Sequence, residues 1–235
     1  MNYYLGIDAG GSKTYAMVTD ESGRIVGKGS AGSGNHQTGK EAAETNLSLA
    51  AETALRQAGI GKRQLAYSFF GLAGADRKPD FDILHPIIRK LGFDRYTIVC
   101  DTLISLRAGT SRPYGVSVIC GTGTNSAGIS PSGEMYQCGG FDYMYGDFGG
   151  GGSLCIEVFR SVIRAWDGRE KQTELTPLLL QLLDYESVEH MYHDYLDHQH
   201  TVPLQAAQLL FTAAAKGDPV SLDILNRQGK SWANR

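Results

Sequence analysis

Short apolar runs separated by turn-forming residues open the chain. The runs cover residues 3–7, 14–18 and 24–28, and Gly and Ser residues lie between them, which predicts three antiparallel strands joined by hairpins. Over residues 39–58 the apolar residues recur at helical spacing, and Gly59 follows at the position of a helix C-cap. This part of the chain is therefore predicted to have the order β-β-β-α.

The next segment has the pattern of buried strands separated by a helix. Residues 67–72 and 97–100 are unbroken apolar runs, which suit parallel strands covered on both faces, and residues 81–91 between them have helical spacing. The pattern extends the order to β-β-β-α-β-α-β. Further along, residues 153–166 and 204–229 are predicted to be helical, with a polar, His-rich segment between them.

The opening strand–turn pattern recurs 110 positions later. Gly11 falls on Gly121 and Ser12 on Thr122, and the order strand, Gly–Ser/Thr turn, strand, Ser–Gly turn, strand is kept. We interpret this as a duplicated α/β unit. Two such units facing each other would place two turns, each with backbone N–H groups and a hydroxyl, on opposite walls of one cleft, where they would clamp a phosphate.

The duplication predicts two domains, at residues 1–110 and 111–235. No linker between them is rich in Pro, Ser or charge, so residues 108–114 are predicted to act as a hinge. After Gly152 no further pair of buried strands is evident, and a helix still runs over residues 229–235. We therefore expect a truncated chain whose second domain is incomplete at the C-terminus, with weak nucleotide binding and an exposed sheet edge.

Composition and charge narrow the functional classes. The chain has 235 residues and a formal net charge of −3, without a run of Lys and Arg, so nucleic acid is a poor candidate partner. The beginning of the chain lacks the features of a secretory signal and no apolar run is long enough for a membrane span, which predicts a cytoplasmic protein. Reduced, mostly buried thiols are expected at four positions without any CxxC pair: Cys100, Cys120, Cys138 and Cys155.

The first Gly-rich turn matches neither common phosphate loop. In a Walker A motif counted from Gly6, Ser12 stands where Lys is required, and residues 13–18 predict a strand rather than a helix. The second turn lacks the third Gly of a dinucleotide-binding fingerprint. A hairpin-type phosphate loop preceded by Asp8 remains, and this carboxylate would hold a hydrated Mg²⁺ beside the phosphates; the alternative is a turn-forming acid.

Several motifs in order carry a family resemblance. GIDAGGSKT, Asn35-His36, CDTLISLRAG, GTGTNSAGI and CGGFDYMYGDFGGG resemble the BadF/BadG/BcrA/BcrD-type ATPases, specifically their N-acetylglucosamine kinase branch. The resemblance implies duplicated ribonuclease-H-like (actin-like ATPase) domains around a central cleft. It also implies ATP and Mg²⁺ as cofactors and phosphorylation of the 6-hydroxyl of an amino sugar. The lack of a long apolar run argues against a membrane partner, and a homodimer is left open.

Asp101 is the candidate catalytic base. It follows an apolar strand, so its carboxylate lies at the carboxyl end of that strand, where clefts of α/β sheets open. The matching Asp of the family takes the proton from the 6-hydroxyl. The alternative role of Asp101 is a helix N-cap.

The resemblance also assigns binding residues. The nucleotide-binding residues that it implies are Gly10, Gly11, Ser12, Lys13, Thr122 and Gly217. The sugar-binding residues that it implies are Asn35, Thr124, Asn125, Gly140, Phe141 and Asp147. Gly217 is equally well explained as a helix C-cap followed by a Pro that restarts a helix.

Two positions depart from the family pattern and bear on the substrate. Asp142 stands where the family generally has Gly, and Phe148 where it generally has Glu. A carboxylate at residue 142 is costly against an N-acetyl methyl group but acceptable near an amine or hydroxyl. N-acetylglucosamine is the favoured substrate, and glucosamine and N-acetylmuramic acid stay open.

Two other functions and a metal site are alternatives that the sequence disfavours. An ATPase that activates a dehydratase through an iron–sulfur cluster needs accessible cysteines, whereas Cys100 and Cys120 end apolar strands and are expected to be buried. A non-catalytic sugar sensor would need a helix-turn-helix or a basic segment, which the sequence lacks. The segment 186–200 has four His and two Asp (His190, His193, His198, His200, Asp194 and Asp197) but no compact ligand motif, which favours a solvated or interface helix over a metal site.

Overall fold

The computed structural model describes residues 1–233, and all statements of structure refer to these residues. The strands are β1 (Tyr3–Ala9), β2 (Thr14–Asp20), β3 (Ile25–Ala31), β4 (Leu65–Leu72), β5 (Tyr96–Val99), β6 (Gly115–Cys120), β7 (Thr124–Ile129) and β8 (Met135–Gly139). The helices are α1 (Lys40–Ala58), α2 (Lys78–Lys90), α3 (Asp101–Gly109), α4 (Gly151–Trp166), α5 (Leu175–Leu183), α6 (Val188–His198), α7 (Ala206–Ala214) and α8 (Pro219–Ala233). The helix predicted to run to the end of the chain reaches Ala233, and Asn234 and Arg235 lie outside the described residues.

The first sheet has five strands in the order β3-β2-β1-β4-β5. β1 pairs antiparallel with β2 and β2 with β3, whereas β4 runs parallel to β1 and β5 parallel to β4. The predicted hairpins, parallel strands and element order are confirmed. The expected burial of β4 on both faces was wrong, because Tyr67 and Phe69 on one of its faces are exposed. Side chains alternate along β1, so that Leu5 and Ile7 are buried in the core with Phe70 of β4. Because β1, β4 and β5 are parallel, their carboxyl ends lie at one edge of the sheet.

Two glycines of β3 allow α1 to pack closely on this sheet. A Cβ atom at Gly27 would lie 2.1 Å from the carbonyl oxygen of Ala54, and one at Gly29 would lie 2.0 Å from that of Ala50. Both contacts are far inside van der Waals distance, so the backbones could not approach as they do with larger residues. α1 ends at Gly59, which has φ 67° as the predicted C-cap requires.

The second sheet repeats the strand spacing of the first. Its order is β6-β7-β8. β7 begins at Thr124 and β8 at Met135, each 110 positions after the first residue of β2 and β3, Thr14 and Ile25. The repeat that the sequence predicts is therefore present as a repeat of strand positions.

The chain divides into two compact units. The first comprises Met1–Ser117 and Ala127–Gln137, and the second comprises Val118–Ser126 and Cys138–Arg235. The boundary expected between residues 110 and 111 stays a prediction. The second unit has a helical core from α4 to α8, whose most deeply buried side chains include Val158, Val162, Leu175, Leu179, Met191, Leu210 and Ile224.

The sequence pattern was less accurate for the helical part. The Leu-rich helix α5 was not predicted. The helical segment 204–229 forms two helices, α7 and α8, with the break that the alternative interpretation of Gly217 expects: the backbone at Gly217 has φ +82° and Pro219 begins α8. Among the described helices, none combines the length and the hydropathy needed to cross a bilayer.

Candidate active site

Asp101 is the first residue of α3 and lies directly after the carboxyl end of β5. The N-cap position belongs to Cys100, so the structure does not place Asp101 in the alternative capping role. The Cys100 thiol donates a hydrogen bond to Asp101 Oδ1 at 3.2 Å. Burial raises the pKa of Asp101 and the charge of Asp76 adds to the rise, although hydrogen bonds from Cys100 and Thr102 oppose it. The result is a carboxylate that binds a proton more readily than an exposed one.

Asp8 belongs to the same group of carboxylates. It is near the carboxyl end of β1, and its side chain reaches solvent. Burial by surrounding atoms raises the pKa of Asp8, and the negative charge of Asp101 raises it further. The two predicted residues are therefore electrostatic neighbours at one edge of the sheet.

Asp76, which the sequence analysis missed, completes this acidic group. It follows the carboxyl end of β4, and its Oδ1 accepts a hydrogen bond of 2.7 Å from Gln137 Nε2. Its position after a buried parallel strand was the signal that could have identified it, since the same signal identified Asp101. Carboxylates thus follow or end three adjacent parallel strands.

The turn between β1 and β2 exposes the predicted phosphate-binding residues. The backbone N–H of Gly10 donates to the carbonyl of Lys13 at 2.9 Å, which closes the hairpin. Ser12 and Lys13 are exposed. A Cβ atom at Gly11 would meet no atom within 4 Å, and Gly11 is not among the residues with positive φ. The fold itself therefore does not require glycine at this position.

Asn35 lies in a loop tied to this turn. The backbone N–H of Gly34 donates to the carbonyl of Gly10 at 3.1 Å. Asn35 Oδ1 accepts the backbone N–H of Gln37 at 2.8 Å, which is the hydrogen bond of an Asx turn. The side chain of Asn35 thus shapes its own loop, next to the turn with Gly10.

The corresponding turn of the second unit lies between β6 and β7. A Cβ atom at Gly121 or at Gly123 would meet nothing within 4 Å, and neither residue has positive φ. The carbonyls of Gly121 and Thr122 accept the backbone N–H groups of Gly151 and Gly152, both at 2.8 Å. The first N–H groups of α4 are therefore satisfied by this turn rather than directed at solvent.

Thr124 and Asn125 begin β7 as buried polar residues. Thr124 is 5% exposed, and within residues 1–233 its hydroxyl oxygen has no hydrogen-bond partner. Such an orphaned hydroxyl is uncommon in protein interiors. A Cβ atom at Gly140 would lie 2.6 Å from Nδ2 of Asn125, so these two predicted residues are in close contact.

The loop over residues 140–147 is held by its own last residue. Oδ2 of Asp147 accepts the backbone N–H groups of Phe141 at 2.6 Å and of Asp142 at 3.0 Å. Asp142 has φ 138° and ψ 163°, a backbone region that is populated almost only by glycine. The Phe141 side chain is exposed. The loop thus combines internal hydrogen bonds with strain at Asp142.

Glu157 of α4 anchors this loop, and the sequence analysis did not identify it. It is 6% exposed and accepts hydrogen bonds from Tyr143 at 2.5 Å, Arg160 at 3.1 Å and Arg227 at 3.0 Å. The pKa of Glu157 is lowered overall. Burial acts to raise it, but the hydrogen bonds and the positive charges of Arg160 and Arg227 have the larger effect. Arg227 also lies over the ring of Phe148 at 5.5 Å. No local pattern identifies Glu157 as an anchor, because Tyr143 and Arg227 are remote from it in sequence and only Arg160 lies in the same helix.

Gly217 borders a surface cavity of about 450 Å³. The neighbouring Asp218 caps α8, because its Oδ2 accepts the backbone N–H of Ser221 at 2.8 Å. Thr173 donates to the same oxygen at 2.8 Å. The residues that line the cavity are Gln172, Thr173, Glu174, Lys216, Gly217, Asp218 and Pro219.

The exposure of one cysteine differs from the prediction. Cys100 and Cys155 are buried, but Cys120 is exposed. Alternate residues of β6 face opposite sides of the sheet, and Cys120 lies on the same exposed face as Val116 and Val118. The expectation that Cys120 is buried at the end of an apolar strand was therefore wrong.

Three comparisons with known proteins agree on the relationship. A sequence model described as BadF/BadG/BcrA/BcrD ATPase family matches residues 5–235. An N-acetylmuramic acid/N-acetylglucosamine kinase from Clostridium acetobutylicum is 29% identical over 235 residues, which cover 98% of this chain and 76% of that protein. Glucosamine kinase GspK from Vibrio cholerae is 28% identical over 233 residues, which cover 97% of this chain and 76% of that protein.

A solved structure shows the same fold. It comes from Chromobacterium violaceum and is provisionally named an N-acetylglucosamine kinase. The TM-score is 0.79 at 24% identity, over 99% of this chain and 81% of the other. This similarity confirms the predicted mixed α/β, actin-like ATPase fold.

Proposed function

The chain belongs to the BadF/BadG/BcrA/BcrD ATPase family, and from this premise we propose that it transfers the γ-phosphoryl group of ATP to the 6-hydroxyl of an amino sugar. N-acetylglucosamine is the favoured acceptor. The related kinase from Clostridium acetobutylicum is named for N-acetylmuramic acid and N-acetylglucosamine, and the one from Vibrio cholerae for glucosamine. N-acetylmuramic acid and glucosamine are therefore the alternative acceptors.

Asp101 acts as the general base of this reaction. Its carboxylate accepts the proton of the sugar hydroxyl while the sugar oxygen bonds to the γ-phosphorus and the bond to ADP breaks. The observation that carries the proposal is the position of Asp101 at the carboxyl end of β5, together with a pKa raised by burial and by Asp76. A raised pKa increases the proton affinity of the base in the transition state.

Asp8 is proposed to hold Mg²⁺, which when bound neutralises charge on the phosphates. The residues fit this ion, because a carboxylate is an oxygen ligand of the kind that Mg²⁺ prefers. Burial and then the charge of Asp101 raise the pKa of Asp8, and a nearby cation would offset the repulsion between the two carboxylates. Asp8 contributes charge and orientation to the site.

The nucleotide phosphates are proposed to contact the turn between β1 and β2 and the turn between β6 and β7. Gly11 in the first turn and Gly121 and Gly123 in the second have open space where a Cβ atom would lie, which suits close approach of a ligand to the main chain. Ser12 and Thr122 supply hydroxyl groups, Gly10 contributes to the first turn, and Lys13 adds a positive charge. Gly217 would approach the nucleotide.

The sugar is proposed to bind through neutral hydrogen-bonding groups, because a sugar offers donors and acceptors rather than charge. The buried Thr124 hydroxyl, orphaned within residues 1–233, would gain a partner from a sugar hydroxyl. The other proposed contacts are Asn35, Asn125, Gly140, Phe141 and Asp147.

The proposal is tested by coupling ADP release to an optical readout across a panel of amino sugars, with and without Mg²⁺. We expect ADP release that depends on both the sugar and Mg²⁺. The variant Asp101→Asn should lower kcat by about 10²–10⁴-fold, whereas Asp94→Asn, at an exposed acid of the same unit, should not. Wild-type turnover in Asp101→Asn, or no dependence on any sugar, would overturn the proposal.

A further inference from the structure

The end of α6 brings one carboxylate and two imidazoles together outside the proposed active site. His198 Nδ1 lies 3.0 Å from Asp194 Oδ1, and His200 Nε2 lies 3.0 Å from Asp194 Oδ2. One possible ligand atom from each of the three residues lies within 4.8 Å of the other two. All three residues belong to the second unit, so the cluster is formed within one compact body.

The backbone explains why these side chains converge. Asp194 and His198 are one helical turn apart and share a face of α6. Gln199, the C-cap, has the left-handed conformation with φ 52°, which turns the chain sharply. His200 is therefore directed back towards the carboxylate of the preceding turn rather than away from the helix.

The spacing of these atoms suits a shared metal ion. Zn²⁺ binds imidazole nitrogen and carboxylate oxygen at roughly 2.0–2.2 Å, which places adjacent ligand atoms about 3.0–3.4 Å apart at angles of 90–109°. The two nitrogen–oxygen separations of 3.0 Å, one to each oxygen of the Asp194 carboxylate, fall in this range. Two imidazoles favour a transition-metal ion over Mg²⁺, which prefers oxygen ligands.

A further residue orients the carboxylate. The hydroxyl of Tyr185 donates a hydrogen bond to Asp194 Oδ2, and the ring of Tyr195 packs edge-on against the ring of His200, with 5.3 Å between centroids. Hydrogen bonds to ligating carboxylates are a regular feature of metal sites, because they fix the direction of the ligand. Tyr185 is thus a positioning residue for the cluster.

We propose that Asp194, His198 and His200 form a binding site for a divalent first-row transition-metal ion, with Zn²⁺ as the ion that the ligand set favours. The bound ion links the last turn of α6 to the chain that follows it. Because it binds the folded state, it stabilises that state in proportion to its free concentration. The competing explanation is a pair of surface His–Asp ion pairs, which would have no specific metal affinity.

The test is a titration of chelator-treated, dialysed protein with ZnCl₂ in competition with a chromophoric chelator, together with thermal unfolding at each Zn²⁺ concentration. We expect one Zn²⁺ per chain and a rise in Tm. His198→Ala and His200→Ala should each weaken binding by at least ~10-fold, and Tyr185→Phe by about 10-fold. MgCl₂ in excess should leave the titration unchanged.

The matched control is His193→Ala, an exposed His on the same helix that lies outside the cluster. It should bind Zn²⁺ as the wild type does. The proposal is overturned if the double variant His198→Ala/His200→Ala binds Zn²⁺ as tightly as the wild type, or if His193→Ala loses as much affinity as His200→Ala. Circular dichroism of each variant checks that α6 and its neighbours stay folded.

Discussion

Oδ2 of Asp147 accepts a hydrogen bond of 2.6 Å from the backbone N–H of Phe141. The same oxygen accepts the N–H of Asp142 at 3.0 Å, and Asp147 is only 8% exposed. This carboxylate therefore acts on the backbone of the loop proposed to line the sugar. A role in binding the sugar would include holding the loop in shape.

Removing this carboxylate should loosen the loop. In Asp147→Ala we expect hydrogen exchange at the amides of Phe141 and Asp142 to accelerate by about 10-fold or more, since a hydrogen bond to a charged group contributes ~1.5–3 kcal/mol. The KM for the sugar should rise more than kcat falls. Asp167→Ala, at an exposed acid outside the loop, is the control. Unchanged exchange at both amides would show that Asp147 does not hold the loop.

Asp142 tests whether strain in the loop bears on the substrate. Its backbone, at φ 138°, costs a non-glycine residue about 1–3 kcal/mol. Asp142→Gly should release this strain but lose the hydrogen bond from the Met144 N–H at 3.2 Å. We therefore expect a net increase of ~1 kcal/mol in the free energy of unfolding. Removing the carboxylate should also raise kcat/KM for N-acetylglucosamine relative to glucosamine.

The control for Asp142→Gly is Asp184→Gly. Asp184 has φ 60° in the left-handed region, which Asp tolerates better, so the gain in stability should be smaller. Denaturant unfolding measures both variants. A loss of stability in Asp142→Gly would contradict the assignment of strain, and an unchanged ratio of kcat/KM would separate the loop from substrate choice.

Glu157 should make stability depend on acid pH. Its folded-state pKa is lowered below the ordinary value of 4.5, so its contribution is fully present above that value and is lost as the pH falls through the folded-state pKa. Glu157→Gln should cost about 1–2 kcal/mol at pH 7, discounted for the half-exposed arginines. The difference from wild type should shrink towards pH 3.

Urea unfolding at a series of pH values measures this effect. Glu189→Gln, at an exposed Glu of α6, should change the free energy of unfolding by less than about 0.5 kcal/mol at every pH. If the gap between wild type and Glu157→Gln did not change with pH, the hydrogen bonds from Tyr143 and Arg227 would not be the source of the lowered pKa.

We expect the glycines of the two turns to be required for ATP binding and not for the stability of the fold. Gly11→Ala and Gly123→Ala place a methyl group in open space, so we expect stability within about 0.5 kcal/mol of wild type and a raised KM for ATP. Gly29→Ala is the contrasting case, since its Cβ atom would lie 2.0 Å from Ala50 O. That variant should lose about 1–3 kcal/mol or more. An unchanged KM for ATP in both turn variants would remove the turns from the nucleotide site.

Asp101 should lower the stability of the protein near neutral pH. Because its folded-state pKa is raised, the folded state holds the proton more tightly than the unfolded chain, and stability falls as the pH rises from the unfolded pKa through the folded pKa. Asp101→Asn lacks this titration. Its Tm should exceed that of the wild type at pH 7.5, with a smaller difference at pH 4; the reverse order would show that the site stabilises the charged carboxylate.

Local patterns determined much of the fold. Short apolar runs between turn residues predicted β1 and β2, helical spacing and a terminal Gly predicted α1, and the repeat at a fixed offset indicated the strands of the second sheet. These features depend on residues close together in sequence, or on a repeated order of turns, so a single sequence is enough to predict them. The resemblance in sequence motifs predicted the family, which the comparisons confirm.

Only the tertiary structure decided which distant residues meet. The sequence placed Asp8 and Asp101 at strand ends, but their electrostatic coupling, and the presence of Asp76 beside Asp101, depend on the strand order β1-β4-β5. The anchoring of the loop by Glu157 uses α4 and α8, and Cys120 proved exposed because one face of β6 is left uncovered. Burial and pKa are set by what packs against a side chain, and that neighbour is generally remote in sequence.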